Sequence, residues 1–140
     1  MRGEADCPFE KPILSGQCAC ELAARSTFGE QLRVRCRSAL ACTNCQTLLA
    51  LLRERARFAL KLPDPFAPIP FGKEMRLMVG GLTGLQEAIH GDSGDRTVVA
   101  DVHRLVQDAQ SRYGGLAQLP FHEIVKSIAA FQSRRHRPRG

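Results

Sequence analysis

The sequence lacks several features that would mark common protein classes. It contains no tryptophan and one tyrosine among 140 residues, so a platform for stacking the bases of a single-stranded nucleic acid is not evident. Its longest aliphatic run is Leu48 to Leu52, far short of the ~18 apolar residues that cross a bilayer. The start, Met1 to Asp6, carries two acidic residues and leads into no apolar stretch, unlike a secretory signal. We therefore expect a cytoplasmic protein without a membrane span.

Cysteine is absent after position 45 but abundant before it. Six thiols fall in this first part of the chain, and a cytosolic protein keeps them reduced, so three disulfides are the weaker reading. Single cysteines are often small, buried and inert, but six in one segment indicate a metal or cluster site. The six are Cys7, Cys18, Cys20, Cys36, Cys42 and Cys45.

The spacing of these cysteines does not match the paired knuckles that are typical of structural zinc sites. One pair, Cys42 and Cys45, is separated by two residues, and Cys18 and Cys20 are separated by one. Proline follows Cys7, as it follows some ligands of iron–sulfur clusters. The irregular spacing favours an iron–sulfur cluster, with an electron-transfer or structural role, and leaves zinc as the alternative.

A zinc ion or a four-iron cluster needs four thiolates, and six are present. Because backbone in an irregular segment can wrap a metal centre, we expect Cys7, Cys18 and Cys20 to be ligands. The fourth ligand is expected to be Cys36 or Cys45. Cys42 lies in an alanine-rich stretch and is the expected bystander, or an additional ligand.

The local patterns predict a mainly α fold. Residues 1–17 form an irregular segment, Cys18 to Ser26 a short helix, Leu32 to Arg37 a strand, and Ser38 caps a helix reaching about Lys61. Prolines make residues 63–71 extended. Further elements are predicted at 74–79 (a strand), 85–90 (a helix), 97–113 (a helix that Gly114 and Gly115 end) and 120–131 (a helix that Pro120 opens).

These elements predict one small domain over residues 1–131, with one or two short strands and a C-terminal helical hairpin. Residues 1–62 would form a cysteine-rich metal-binding half and residues 63–131 a helical half. Residues 132–140 hold four arginines and no acidic residue, and form a basic tail.

The net charge of +6 suggests a second class of function, a zinc-stabilised or metal-free basic adaptor. Such a protein would bind an acidic protein partner, or a nucleic acid through its phosphates. The nucleic-acid alternative is weakly supported, because no binding fingerprint is present. The candidate anion-binding side chains are Arg33, Arg35 and Arg37 on the outer face of the predicted strand, and Arg134, Arg135 and Arg137 in the tail.

No catalytic constellation stands out. A cysteine nucleophile needs a base within reach, and all four histidines lie outside the cysteine-rich half: His90, His103, His122 and His136. The Cys42–Cys45 pair lies several residues into its predicted helix, unlike a thioredoxin-type motif. We therefore assign no enzymatic activity from the sequence.

Overall fold

Three short strands form an antiparallel sheet in the computed structural model, which describes residues 5–64, 66–91 and 99–131. Strand β1 is Ala5–Asp6, β2 is Ala23–Phe28 and β3 is Gln31–Cys36, with β3 in the middle. Alternation along β3 buries its Val34 and Cys36, as the sequence predicts.

The predicted helix over Cys18 to Ser26 is wrong, because residues 23–28 form β2. Gly29 lies at φ 66° in the two-residue connection between Phe28 and Gln31, and glycine there suits a tight hairpin turn. Pairing with β3 along six positions outweighs the helix propensity of the alanines. Of the three strands in the sheet, the sequence predicts β3 alone.

The N-terminal segment is more regular than predicted. It contributes β1 and a short helix α1, Glu10–Leu14, which places Phe9 and Ile13 in the hydrophobic core. The Glu10 carboxylate accepts hydrogen bonds from Arg33 (2.8 Å) and from the backbone N–H of Val34 (2.7 Å). These two bonds hold α1 against β3.

Helix α2, Ala39–Ala56, begins where the sequence predicts. The Ser38 hydroxyl accepts a hydrogen bond from the backbone N–H of Ala41 (3.1 Å), which satisfies one of the free donors at the helix start. The helix ends five residues before Lys61, and a turn follows in which Lys61 has a positive φ of 58°. Its buried stripe is Ala41, Cys42, Cys45, Leu48, Leu52 and Ala56.

The predicted strand over residues 74–79 is wrong. Helix α3, Phe71–Met75, continues through a π-helical turn, Arg76–Gly80, into helix α4, Gly81–His90. The alternation of Met75, Leu77 and Val79 is misleading, because Met78 between them is buried as well. In a segment that is buried on several faces, the spacing of apolar residues does not distinguish a strand from a helix.

The last two helices are α5, Val102–Tyr113, and α6, Phe121–Ala130, joined through a 3-10 turn at Leu116–Gln118. Gly114 ends α5 at φ 89° and Pro120 precedes α6, both as predicted. The predicted start of α5 near Thr97 lies outside the described residues. A simple α5–α6 hairpin is too coarse a description, since α6 packs chiefly on α4, the π-helical turn and α2, while α5 packs on α4.

The fold is thus mainly α, as predicted, with a small three-stranded antiparallel sheet. Side chains from both predicted halves share the main hydrophobic core, including Phe9, Val34, Leu52, Leu85 and Ile124. None of the helices within residues 5–64, 66–91 and 99–131 has the length and apolar character needed to cross a membrane.

Glycines let α6 approach the π-helical turn and α4 closely. A Cβ atom at Gly80 would lie 2.9 Å from the Cα of Ile128, and one at Gly84 would lie 2.8 Å from the Cβ of Ser127. The Gly80–Gly84 segment lies between the elements predicted at 74–79 and 85–90, where the sequence indicates no helix. Instead, its small residues form a helix surface on which another helix packs.

The Gly80→Ala substitution is therefore expected to destabilise the fold by about 1–3 kcal/mol, because the added methyl group meets the backbone of α6 rather than a movable side chain. Urea denaturation measures the effect. Gly72→Ala is the matched control: nothing lies within 4 Å of its added Cβ, so stability should stay equal or rise slightly. Equal stability of the two variants would contradict the close packing described.

Candidate functional site: a cavity lined by cysteines

A small cavity lies where the sheet ends and α2 begins, and five of the six cysteines line it. Its volume is about 10 Å³, close to that of one water molecule. We call it the cysteine cavity. Its sulfur-bearing residues are Cys7, Cys20, Cys36, Cys42 and Cys45, and its other walls are Pro8, Leu22, Ala23, Ala41, Val102 and His103.

The register of the sheet places the first of these thiols. Cys36 is the last residue of the central strand, and it lies opposite Ala5 on one side and Ala23 on the other. The backbone N–H of Cys7 donates to the carbonyl of Val34 (3.1 Å), which fixes Cys7 just beyond β1. Cys7 therefore lies beside Val34, and Cys20 lies three residues before Ala23, so both are near Cys36.

Helix α2 brings two more thiols to the same place. Only Arg37 and Ser38 separate Cys36 from the helix, so the helix starts at the edge of the cavity. Cys42 and Cys45 lie on its buried stripe one turn apart, as the sequence predicts.

A non-local pairing closes the remaining side. The backbone N–H of Ala19 donates to the carbonyl of Val99 (3.0 Å), and the N–H of Val102 donates back to the carbonyl of Ala19 (2.8 Å). The N–H of Glu21 donates to the carboxylate of Asp101 (3.0 Å). These bonds bring the first turn of α5 against the segment that carries Cys20.

Backbone N–H groups near two of the sulfur atoms oppose the effect of burial. Burial raises the pKa of Cys7 and of Cys20, but the N–H of Phe9 lowers the pKa of Cys7, and the N–H groups of Leu22 and His103 lower the pKa of Cys20. In each case one of these N–H groups lies two residues after the cysteine. N–H groups beside a sulfur atom stabilise the negative charge of a thiolate.

Cys36 and Cys42 instead act as thiol donors. The Cys36 Sγ lies 3.3 Å from the carbonyl oxygen of Ser38, and the Cys42 Sγ lies 3.4 Å from that of Asp6. A carbonyl oxygen accepts only from a protonated sulfur, so these contacts belong to the neutral thiols.

Burial has the largest effect on the pKa values of four cavity thiols, those of Cys7, Cys20, Cys42 and Cys45. It raises the pKa of Cys7 and of Cys45 to about 12, and the negative charge of neighbouring thiolates adds to the effect. Burial also raises the pKa of Cys20 and Cys42, and at Cys20 the backbone N–H donors oppose it. At neutral pH these thiols stay protonated unless a cation compensates their charge.

The sixth cysteine, Cys18, does not line the cavity. It is buried in the main core and forms an isolated bridge with Val99, and burial raises its pKa to about 12. The placement differs from the predicted ligand set, which includes Cys18 and treats Cys42 as a bystander. Cys42 lines the cavity and Cys18 does not, but Cys7 and Cys20 are near enough to Cys18 for their charges to act on its thiol, so the choice of ligands stays a prediction.

In their described positions the thiols are not arranged as a complete set of metal ligands. Among residues 5–64, 66–91 and 99–131, no group of three or more His, Cys, Asp or Glu side chains is placed so that it could hold a metal ion. Convergence of several thiols there requires cysteine side chains to rotate about their χ1 bonds.

His103 is the cavity residue that the sequence analysis misses. Its Nδ1 atom lies 2.9 Å from a carboxylate oxygen of Glu21, and its side chain is mostly shielded. No spacing rule connects position 103 with the cysteines. The connection is made by the pairing of residues 19–21 with residues 99–102, which is visible only in three dimensions.

The predicted anion-binding arginines of β3 have partners within the chain. Arg33 lies 2.8 Å from Glu10 and 3.6 Å from Asp6, Arg35 lies 3.7 Å from Asp6, and Arg37 donates to the carbonyl of Glu21 (3.4 Å). The acids compensate part of this positive charge. The tail residues Arg134, Arg135 and Arg137 lie outside the described residues, so binding of an anion or an acidic partner stays a prediction.

No protein-family model, curated protein or solved structure matches the chain. The function of the chain must therefore be inferred from its own residues.

Acid should weaken the contact between α1 and β3. Burial alone would raise the pKa of Glu10, but hydrogen bonds from Arg33 and from the Val34 N–H lower it below its ordinary value. A lowered pKa in the folded state contributes stability at neutral pH that is lost as the pH falls below the ordinary value of 4.5 and through the lowered pKa. Glu10→Gln should therefore reduce stability at pH 7 and flatten its decline in acid, as followed by urea denaturation over a pH series. Glu30→Gln, in the exposed turn, is the control; identical acid profiles for wild type and Glu10→Gln would refute the contribution.

Proposed function

We propose that this chain binds a single thiophilic metal ion of the zinc class in the cysteine cavity, as a structural centre of a small metal-binding protein. The observation that carries the proposal is the gathering of five cysteines from β3, α2 and the segments beside β1 and β2 around one water-sized space. Five thiols from separate segments around one space form a donor set of the kind that binds thiophilic metal ions.

The backbone around Cys7 and Cys20 supports their role as ligands. Burial raises the pKa of both thiols, but the neighbouring peptide N–H groups lower the cost of their ionisation, and metal binding requires the thiolate. The remaining ligands would come from Cys36, Cys42 and Cys45. Their thiol protons would leave as the metal enters, as is usual for thiolate sites.

The size of the cavity favours one ion over a cluster. A space of about 10 Å³ takes one water-sized group, and a Zn²⁺ ion surrounded by inward-turned sulfurs fits such a space. A four-iron cluster carries four irons and four sulfides, so it would have to push the sheet and α2 apart. We therefore propose the zinc alternative in preference to the iron–sulfur cluster that the cysteine spacing favours.

The proposed role is structural because of which elements the ion would join. The cavity cysteines belong to separate segments that pack on one another, so an ion bound to them would cross-link the sheet, α2 and, through Cys20, the start of α5. All six cysteines are free thiols, which fits a protein of a reducing compartment such as the cytoplasm. Metal binding of this kind contributes directly to folding.

Substitution of the proposed ligands should remove the metal. Cys7→Ser and Cys20→Ser are each expected to lower zinc affinity at least 10-fold, since each removes a thiolate ligand. Cys18→Ala is the matched control, because it removes a buried thiol that lies outside the cavity and should retain one zinc per chain. Elemental analysis gives the stoichiometry, and competition with a chromophoric chelator gives the affinity.

Two results would contradict the proposal. Wild-type protein that is fully folded, purified without oxygen and supplied with zinc, yet holds less than about 0.2 metal ions per chain, would exclude the site. Iron with acid-labile sulfide and a visible absorption band would replace the single ion by a cluster.

A further inference from the structure

A nitrogen ligand stands beside the thiols of the cysteine cavity. We propose that His103 Nε2 binds the metal ion together with cysteine thiolates, which makes the centre a mixed sulfur and nitrogen site selective for Zn²⁺. This inference rests on the proposed function and extends it by naming a nitrogen ligand beside the thiolates. It is carried by the position of the His103 ring in the cavity wall and by its contact with Glu21.

The contact with Glu21 determines which ring nitrogen is available. An ionised carboxylate only accepts hydrogen bonds, so the Nδ1 atom, 2.9 Å from Glu21 Oε2, must carry the proton. The Nε2 atom of a neutral imidazole then has the free lone pair. A carboxylate that orients a histidine in this way is the usual partner of a metal-bound imidazole.

The backbone holds this pair of side chains in place. The N–H of Glu21 donates to the Asp101 carboxylate (3.0 Å), and the Glu21 carbonyl accepts from the Arg37 guanidinium (3.4 Å).

His103 borders two neighbouring spaces, which favours a role as a metal ligand over that of an ordinary surface histidine. His103 and Cys45 also line a larger groove between α2 and α5, so both residues border the cysteine cavity and this groove. An ion bound between them would take sulfur from Cys45 and nitrogen from His103.

The donor set selects the class of metal. Three thiolates and one imidazole match a tetrahedral structural zinc site. Copper(I) prefers sulfur ligands alone, while magnesium and calcium prefer oxygen. We therefore expect Zn²⁺, and Co²⁺ as its spectroscopic substitute.

Cobalt substitution tests the inference directly. Co²⁺-loaded wild-type protein should show the visible absorption of a tetrahedral site with sulfur and nitrogen ligands. His103→Ala should shift those bands and weaken Co²⁺ binding at least 10-fold, and Glu21→Gln should weaken it while the bands stay in place. His122→Ala, which changes an exposed histidine on α6, is the matched control and should alter neither property.

A second variant gives a readout that a merely structural role would not produce. His103→Cys should bind Co²⁺ with the spectrum of an all-sulfur site, and it serves also if His103→Ala does not fold. Co²⁺ binding by wild type with unchanged bands and affinity in both His103 variants would overturn the histidine ligand and leave the proposed function standing. Wild-type protein that binds neither Co²⁺ nor Zn²⁺ would overturn both.

Discussion

The antiparallel pairing of β3 with both of its neighbours is the constraint on which the candidate site depends. This pairing sets Ala5 and Ala23 on either side of Cys36, so Cys7, two residues after Ala5, and Cys20, three residues before Ala23, come close to Cys36. A shift of one residue in either register would turn the side chains of the shifted strand to the opposite face and move its neighbouring cysteine away from Cys36. Ser38 then caps the start of α2 close to Cys36, and the buried stripe of α2 forms another wall of the cavity.

The same arrangement creates an electrostatic problem that a cation would solve. Buried thiols are tolerated as small hydrophobic groups, but several thiolates in one apolar space repel one another and lose their hydration. The raised pKa values of Cys7 and Cys45 express this cost. A divalent metal ion reverses it, because it supplies the positive charge and the bonds that the apolar walls lack.

Local patterns predict those parts of the structure that local interactions determine. The Ser38 cap and the apolar stripe predict α2, and alternation predicts β3. Gly114 marks the end of α5, and Pro120 marks the start of α6. The wrong predictions arise where tertiary contacts decide. Strand β2 forms because β3 is beside it, and the segment around Leu77 is helical although its buried residues happen to alternate. For the site, the sequence indicates that the cysteines matter as a group, whereas the entry of His103 and the separate position of Cys18 depend on the pairing of residues 19–21 with the start of α5.

X-ray absorption at the zinc edge tests the central claim most directly, because it measures the atoms bound to the metal without any substitution. The protein loaded with one equivalent of Zn²⁺ should show a first shell dominated by sulfur at about 2.3 Å, with one nitrogen at about 2.0–2.1 Å. A shell of oxygen and nitrogen alone would mean that zinc binds elsewhere on the chain, and it would contradict the assignment of the cysteine cavity as a metal centre.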